Sequence, residues 1–180
     1  MATAGTGSAA TRRPYSGTLA HQSAAAGGEH QHYFYNAAAT LSVGVGESLF
    51  AYVYLDPANP PSEVMLQWND GGWEHRAYWG ANLIPWGNDG TVSRHAMGAL
   101  PAVGQWVRLE VAASVVGLEG RVLNGMAFTL ADGRATWDYA RQVLGGHPDQ
   151  SEHYLQRAEQ SDAWCGAVHR QCHRILGPTC

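Results

Sequence analysis

Tyr52, Tyr54, Gln67, Arg76, Tyr78, Arg108 and Glu110 are the residues of this chain best suited to binding chemistry. Each falls on the more polar side of a short alternating run. Tyrosine rings stack on flat partners such as sugars, each contact worth about 1 kcal/mol. Amide, guanidinium and carboxylate groups beside them fork onto neighbouring hydroxyls. Trp79 and Trp86 supplement the stacking from an edge or a loop. Glu74 and Glu110 are candidates for the acid/base pair of glycoside hydrolysis, which needs a carboxylate separation of about 5 Å or about 6.5–9.5 Å. Each of these glutamates has an arginine two residues away, so ion pairing or ligand hydrogen bonding is the default role. His30 and His32 share one strand face at a spacing that suits a metal. Asn36 and Ala37 stand where a completing glutamate is wanted, which favours buried, hydrogen-bonded histidines.

These side chains need strands to carry them. Alternating runs begin near Ser16, strengthen at Gln31–Tyr35, and recur at 41–45, 47–56, 63–69, 73–79, 105–112, 126–130 and 135–138. Pro, Asn and Gly punctuate them at 56–61, 70–72, 88–90 and 132–133, supplying the backbone angles that tight turns demand. Asp70-Gly71-Gly72 reads as a hairpin turn. About seven to nine such strands give an antiparallel β-sandwich or jelly roll over residues 14–140. In each strand a Val/Leu face opposes a Tyr/Gln/Arg/Glu face. If the polar faces share one sheet, they form a single binding surface. Residues 1–13 read as a disordered leader.

After Asp138 the character changes. Tyr154, Ala158, Ser161, Cys165, Val168, Cys172 and Ile175 alternate at spacings of four and three, predicting a helix of about twenty-five residues within a tail, 141–180, that packs on the sandwich or makes a homodimer. Cys165, His169, Cys172 and His173 can share one helix face, yet no familiar zinc spacing appears. Cys165 and Cys172 would lie about 10 Å apart along the axis, too far for a mutual disulfide.

The net charge is −4 and every basic residue is arginine, so the basic footprint of a nucleic-acid binder is missing. No run approaches the roughly eighteen apolar residues of a membrane span. Met1–Ala10 has no signal-peptide hydrophobic region, so export by that route is not expected. All three cysteines fall in the last sixteen residues, leaving the β region to packing alone.

Tyr52–Pro61, Glu63–Gly80, Gly98–Gly120 and Gly125–Asp138, with Gly17–Ser23 and His30–Phe34 upstream, resemble a bacterial accessory module of surface, secreted and rearrangement-hotspot-type proteins. The match covers about residues 16–140. The resemblance implies a galactose-binding or laminin-like jelly roll at a secreted or cell-surface location, with no settled activity. Met1–Arg13 replaces the acidic, aromatic first strand of the module, and the chain from Arg141 onward departs from it. Sugar-binding sandwiches of this kind often hold a structural calcium, with six to eight oxygen ligands, through an aspartate on the last strand. Asp138 stands there, and Asp56 or Asp132 could serve elsewhere. The alternatives are an N-terminal-strand partner for Asp138 and turn-capping for the others.

These readings converge on a non-catalytic module that binds a polysaccharide or oligosaccharide. A glycan-degrading hydrolase or lyase on the same sandwich is one alternative. A self-assembling adaptor using the C-terminal helix is the other.

Overall fold

Alternation decides the elements. In Ser48–Leu55 (β4), Leu49, Ala51, Val53 and Leu55 point one way and are almost fully buried, as period-two packing on one sheet face requires. The computed structural model describes residues 13–143, and over that span the chain is an all-β sandwich of two main sheets. The other strands are β1 (His21–Gln22), β2 (Glu29–Phe34), β3 (Leu41–Ser42), β5 (Glu63–Asn69), β6 (His75–Gly80), β7 (His95–Gly98), β8 (Trp106–Ala112), β9 (Val122–Leu123), β10 (Gly125–Ala131) and β11 (Ala135–Val143). Among the described residues the only helix is a 3-10 turn, Ala113–Val116, and none is long and apolar enough to cross a membrane. The expected C-terminal helix, its Cys165, His169, Cys172 and His173, and the homodimer it would form lie outside the described residues, as do residues 1–12.

The first sheet has the order β1-β11-β4-β8 and the second β2-β10-β5-β6-β7, with β3 and β9 making a small ribbon. All pairings are antiparallel except β6–β7. The turn after Asn69 joins β5 and β6 in one sheet as a hairpin, with Gly71 at φ 112°. Elsewhere the chain mostly changes sheet: β4 and β8 lie in the first, β5 and β6 in the second. β7 and β9 carry too few apolar residues to announce themselves in the sequence. β11 runs to Val143, past the boundary at 140, because a bulge between Asp138 and Arg141 lets the strand re-pair with Phe50, Leu49 and Ser48. Tyr139 absorbs the bulge at φ 51°.

The core lies between the sheets. Leu49, Val53, Leu109, Val111 and Trp137 from the first meet Leu66, Trp68, Ala77, Trp79, Met126 and Phe128 from the second. His30 and His32 also belong to this inner side, on β2, where His32 pairs across to Phe128. The His32 ring lies 3.5 Å from that of His21 and 4.8 Å from Phe128, and its Nε2 has no hydrogen-bond partner among the described residues. Burial, with the nearby His21 and His30, holds its pKa well below the usual 6.5. Protonation therefore favours the unfolded chain. The stability from neutral His32 is complete above about pH 6.5 and falls as pH drops toward the folded-state value, by up to about 1.4 kcal/mol per pH unit. Thermal melts between pH 7.5 and 5 should show this decline, and His32→Phe should flatten it. An equally steep decline in the variant would refute the assignment to His32.

Candidate functional site

The outer side of the second sheet carries the site. Its central strands present Ala127 and Thr129 from β10, Gln67 from β5 and Arg76 from β6, while the edge strand β2 adds Gln31 and Tyr33. Ala127 leaves a hollow among larger neighbours. Aromatic side chains close it in: Tyr33 and Tyr35 at the β2 end, Trp73 from the β5–β6 turn, and Trp86 from the loop after β6. The resulting pocket has a volume of about 450 Å³, within the range of small-ligand sites. Tyr33 stacks toward Tyr35 and meets Trp73 edge-on, each centroid pair 6.1 Å apart.

A hydrogen-bonded row forms the floor. Arg76 Nε donates to Gln67 Oε1 at 2.9 Å, and Gln67 Nε2 donates to Thr129 Oγ1 at 2.7 Å. Thr129 Oγ1 in turn donates to Gln31 Oε1 at 3.3 Å. Arg76 Nη1 donates to the Ser93 carbonyl at 2.9 Å and lies 3.4 Å from Glu74 Oε2. Arg76 and Gln67 are buried, so the row is rigid and pre-organised.

The loop holding Trp86 is anchored beneath. Glu63, fully buried on β5, accepts the backbone N–H groups of Leu83 and of Ile84, the latter at 3.0 Å. Burial raises its pKa, partly opposed by those two N–H donors. Tyr78 donates to Asp89 at 3.0 Å, and Asn82 donates to the same carboxylate. Burial and the Asp89 contact raise the Tyr78 pKa, whereas the Tyr78 hydroxyl lowers that of Asp89. Met65, Tyr78, Ile84 and Ala131 pack together under the loop, with Trp86 against them.

Of the residues marked from sequence, the structure brings Gln67 and Arg76 into this pocket, with Trp86. Tyr78 is on the same outer face but buried under the loop, and Trp79 points into the core. Tyr52, Tyr54, Arg108 and Glu110 lie on the outer face of the other sheet, so the seven-residue surface is two surfaces back to back. The reason is the crossing of the chain between sheets, which alternation within a strand does not reveal. Tyr52 is already stacked, 3.6 Å from Tyr15, within a cluster that includes Phe50, Trp106 and Tyr139. Arg108 lies 3.9 Å over Phe50 and pairs with Glu110 at 2.8 Å. Glu74 and Glu110 project from opposite sides of the sandwich, whose sheets are themselves about 10 Å apart, so they do not form an acid/base pair.

Asp138 is buried on β11, where the Ser16 N–H donates to its Oδ2 at 2.9 Å. Asp56 pairs with Arg134, and Asp132 accepts from Gly28 and Ser62. No three His, Cys, Asp or Glu side chains converge as a metal site among the described residues.

Gln31, Tyr33, Tyr35, Trp73 and Ala127 are the pocket residues that sequence reasoning missed. A signal existed: Gln31, Tyr33 and Tyr35 alternate with His30, His32 and Phe34, and both Trp73 and Trp86 adjoin glycines in turns. His30 and His32 occupy the opposite, inward side of that strand.

No family model, curated protein or solved structure matches the chain.

Proposed function

We propose that this chain is a non-catalytic carbohydrate-binding module with a jelly-roll topology, and that the pocket on its second sheet holds the sugar. One observation carries the reading: four aromatic side chains surround a floor of Gln31, Gln67 and Arg76. Rings take the apolar faces of a sugar and the polar row takes its hydroxyls. The strand order supports the fold assignment. β1-β11-β4-β8 faces β2-β10-β5-β6, with the sheet changes that nested Greek keys produce. The resemblance to a galactose-binding or laminin-like accessory module points the same way.

The two outer faces make the test specific. Tryptophan fluorescence titrated with ligands drawn from a glycan array should report binding without turnover. Trp73→Ala and Trp86→Ala should each weaken it by about five- to tenfold, as the loss of one stacking contact implies. Tyr52→Ala, on the far side of the sandwich, should leave affinity within about twofold. Product release from any glycan, or a Tyr52→Ala effect as large as that of the tryptophans, would sink this reading.

A further inference from the structure

We propose that the pocket selects sugars bearing a carboxylate, that is, uronic acid residues. This inference rests on the carbohydrate reading and narrows it to one ligand class. Arg76 is the single charged residue among those lining the pocket. It is 7% exposed, and a buried cation requires an anion close by. Its protein partner is poor: the side chain of Glu74 is 72% exposed, and the contact is 3.4 Å long. An exposed carboxylate of this kind is well solvated and weakly held, so a ligand carboxylate inside the pocket can displace it.

The hydrogen-bond directions on the floor agree. The oxygens Gln67 Oε1, Thr129 Oγ1 and Gln31 Oε1 each already accept a bond from a neighbouring donor. The floor also has N–H groups left to offer. Arg76 uses Nε and Nη1 within the protein, and Nη2 makes no hydrogen bond among the described residues. Gln31 likewise has only its oxygen engaged, so its Nε2 remains free to donate. Two spare donors, one of them cationic, match an acceptor-only group on the ligand. A neutral sugar offers hydroxyls, which use both capacities. A carboxylate uses donors alone. The bonds to Gln67 and Ser93 hold the guanidinium in place, so little ordering is needed on binding.

The test is calorimetric titration of the full chain with oligomers of galacturonate, glucuronate-containing glycans and alginate, each as the free acid and as its methyl ester, beside neutral and sulfated oligosaccharides. Esterification leaves the rings and hydroxyls in place and removes the charge. At least one free acid should bind ten times or more tightly than its ester. Glu74→Gln should widen that ratio by about threefold by removing the competing carboxylate, and Arg76→Gln should bring it to about one. Equal affinity for acid and ester, or tighter binding of neutral or sulfated glycans, overturns the inference and leaves the carbohydrate reading standing. If no glycan of any kind binds, both fall. Should Arg76→Gln fail to fold, the ester comparison and Glu74→Gln still decide.

Discussion

Gly87→Ala is expected to abolish most glycan binding, by on the order of a hundredfold, while leaving the sandwich folded. Gly87 follows Trp86 at φ 80°, a backbone region that costs a residue with a Cβ about 1–2 kcal/mol. Its position is also crowded. A Cβ there would stand 2.2 Å from the Ser93 carbonyl oxygen, 2.8 Å from the carbonyl carbon and 2.9 Å from Arg76 Nη1. Backbone atoms cannot swing aside as a side-chain tip can, so the turn itself must move. Ser93 is the acceptor that fixes Arg76, and its hydroxyl accepts the Asn88 N–H at 2.9 Å. Displacing it misplaces the guanidinium and shifts Trp86. Loss of one charged hydrogen bond and one aromatic contact, roughly 3 kcal/mol together, corresponds to about a hundredfold. Gly90→Ala is the control. Gly90 has a similar φ of 77°, but nothing lies within 4 Å of its Cβ position. It should show only the local strain, with affinity within about threefold of the parent. Matching affinities for the two variants would mean that the pocket is not the binding site.

Trp137→Ala is expected to cost about 3–5 kcal/mol of folding stability, a fall in melting temperature of more than roughly 10 °C. Trp137 sits on the inner face of β11, 2% exposed, with its ring centroid 5.1 Å from Phe128 of the opposite sheet. It also pairs in register with His21 on one side and Val53 on the other. Removing it leaves a void where the sheets meet, and neighbouring backbones locked into ladders cannot collapse to fill it. The contribution is one of volume, not polarity, because Nε1 has no hydrogen-bond partner among the described residues. Trp137→Phe should therefore recover more than half of the loss. Chemical denaturation of the three proteins measures both values, and a Phe variant as unstable as Ala would refute the packing account.

The six tryptophans between Tyr52 and Trp137 illustrate what could be read in advance. Trp68, Trp79 and Trp137 are core, Trp73 and Trp86 line the pocket, and Trp106 joins the aromatic cluster on the other sheet. Trp68 is legible as core because Val64 and Leu66 are apolar at the same period. Arg76 and Gln67 were also legible as partners, since β5 and β6 form a local hairpin whose pairing the turn dictates. Tyr33 and Trp86 reach the same pocket from distant parts of the chain, and no local pattern encodes that meeting. Ser16, more than a hundred residues away, donates its backbone N–H to Asp138, and no local pattern encodes that contact either.

By itself the sequence determined most of the longer strands, their turns and the buried side of most of them, because period-two burial and turn chemistry act over a few residues. Only the tertiary structure decided which strands share a sheet, and therefore which polar faces share a surface. Sheet membership follows from long-range pairing and from packing between inner faces, which a one-residue alternation cannot carry. For this protein that distinction divides the tyrosines of β4 from the amide and guanidinium of β5 and β6. It leaves one set packed against its own chain and the other lining a pocket.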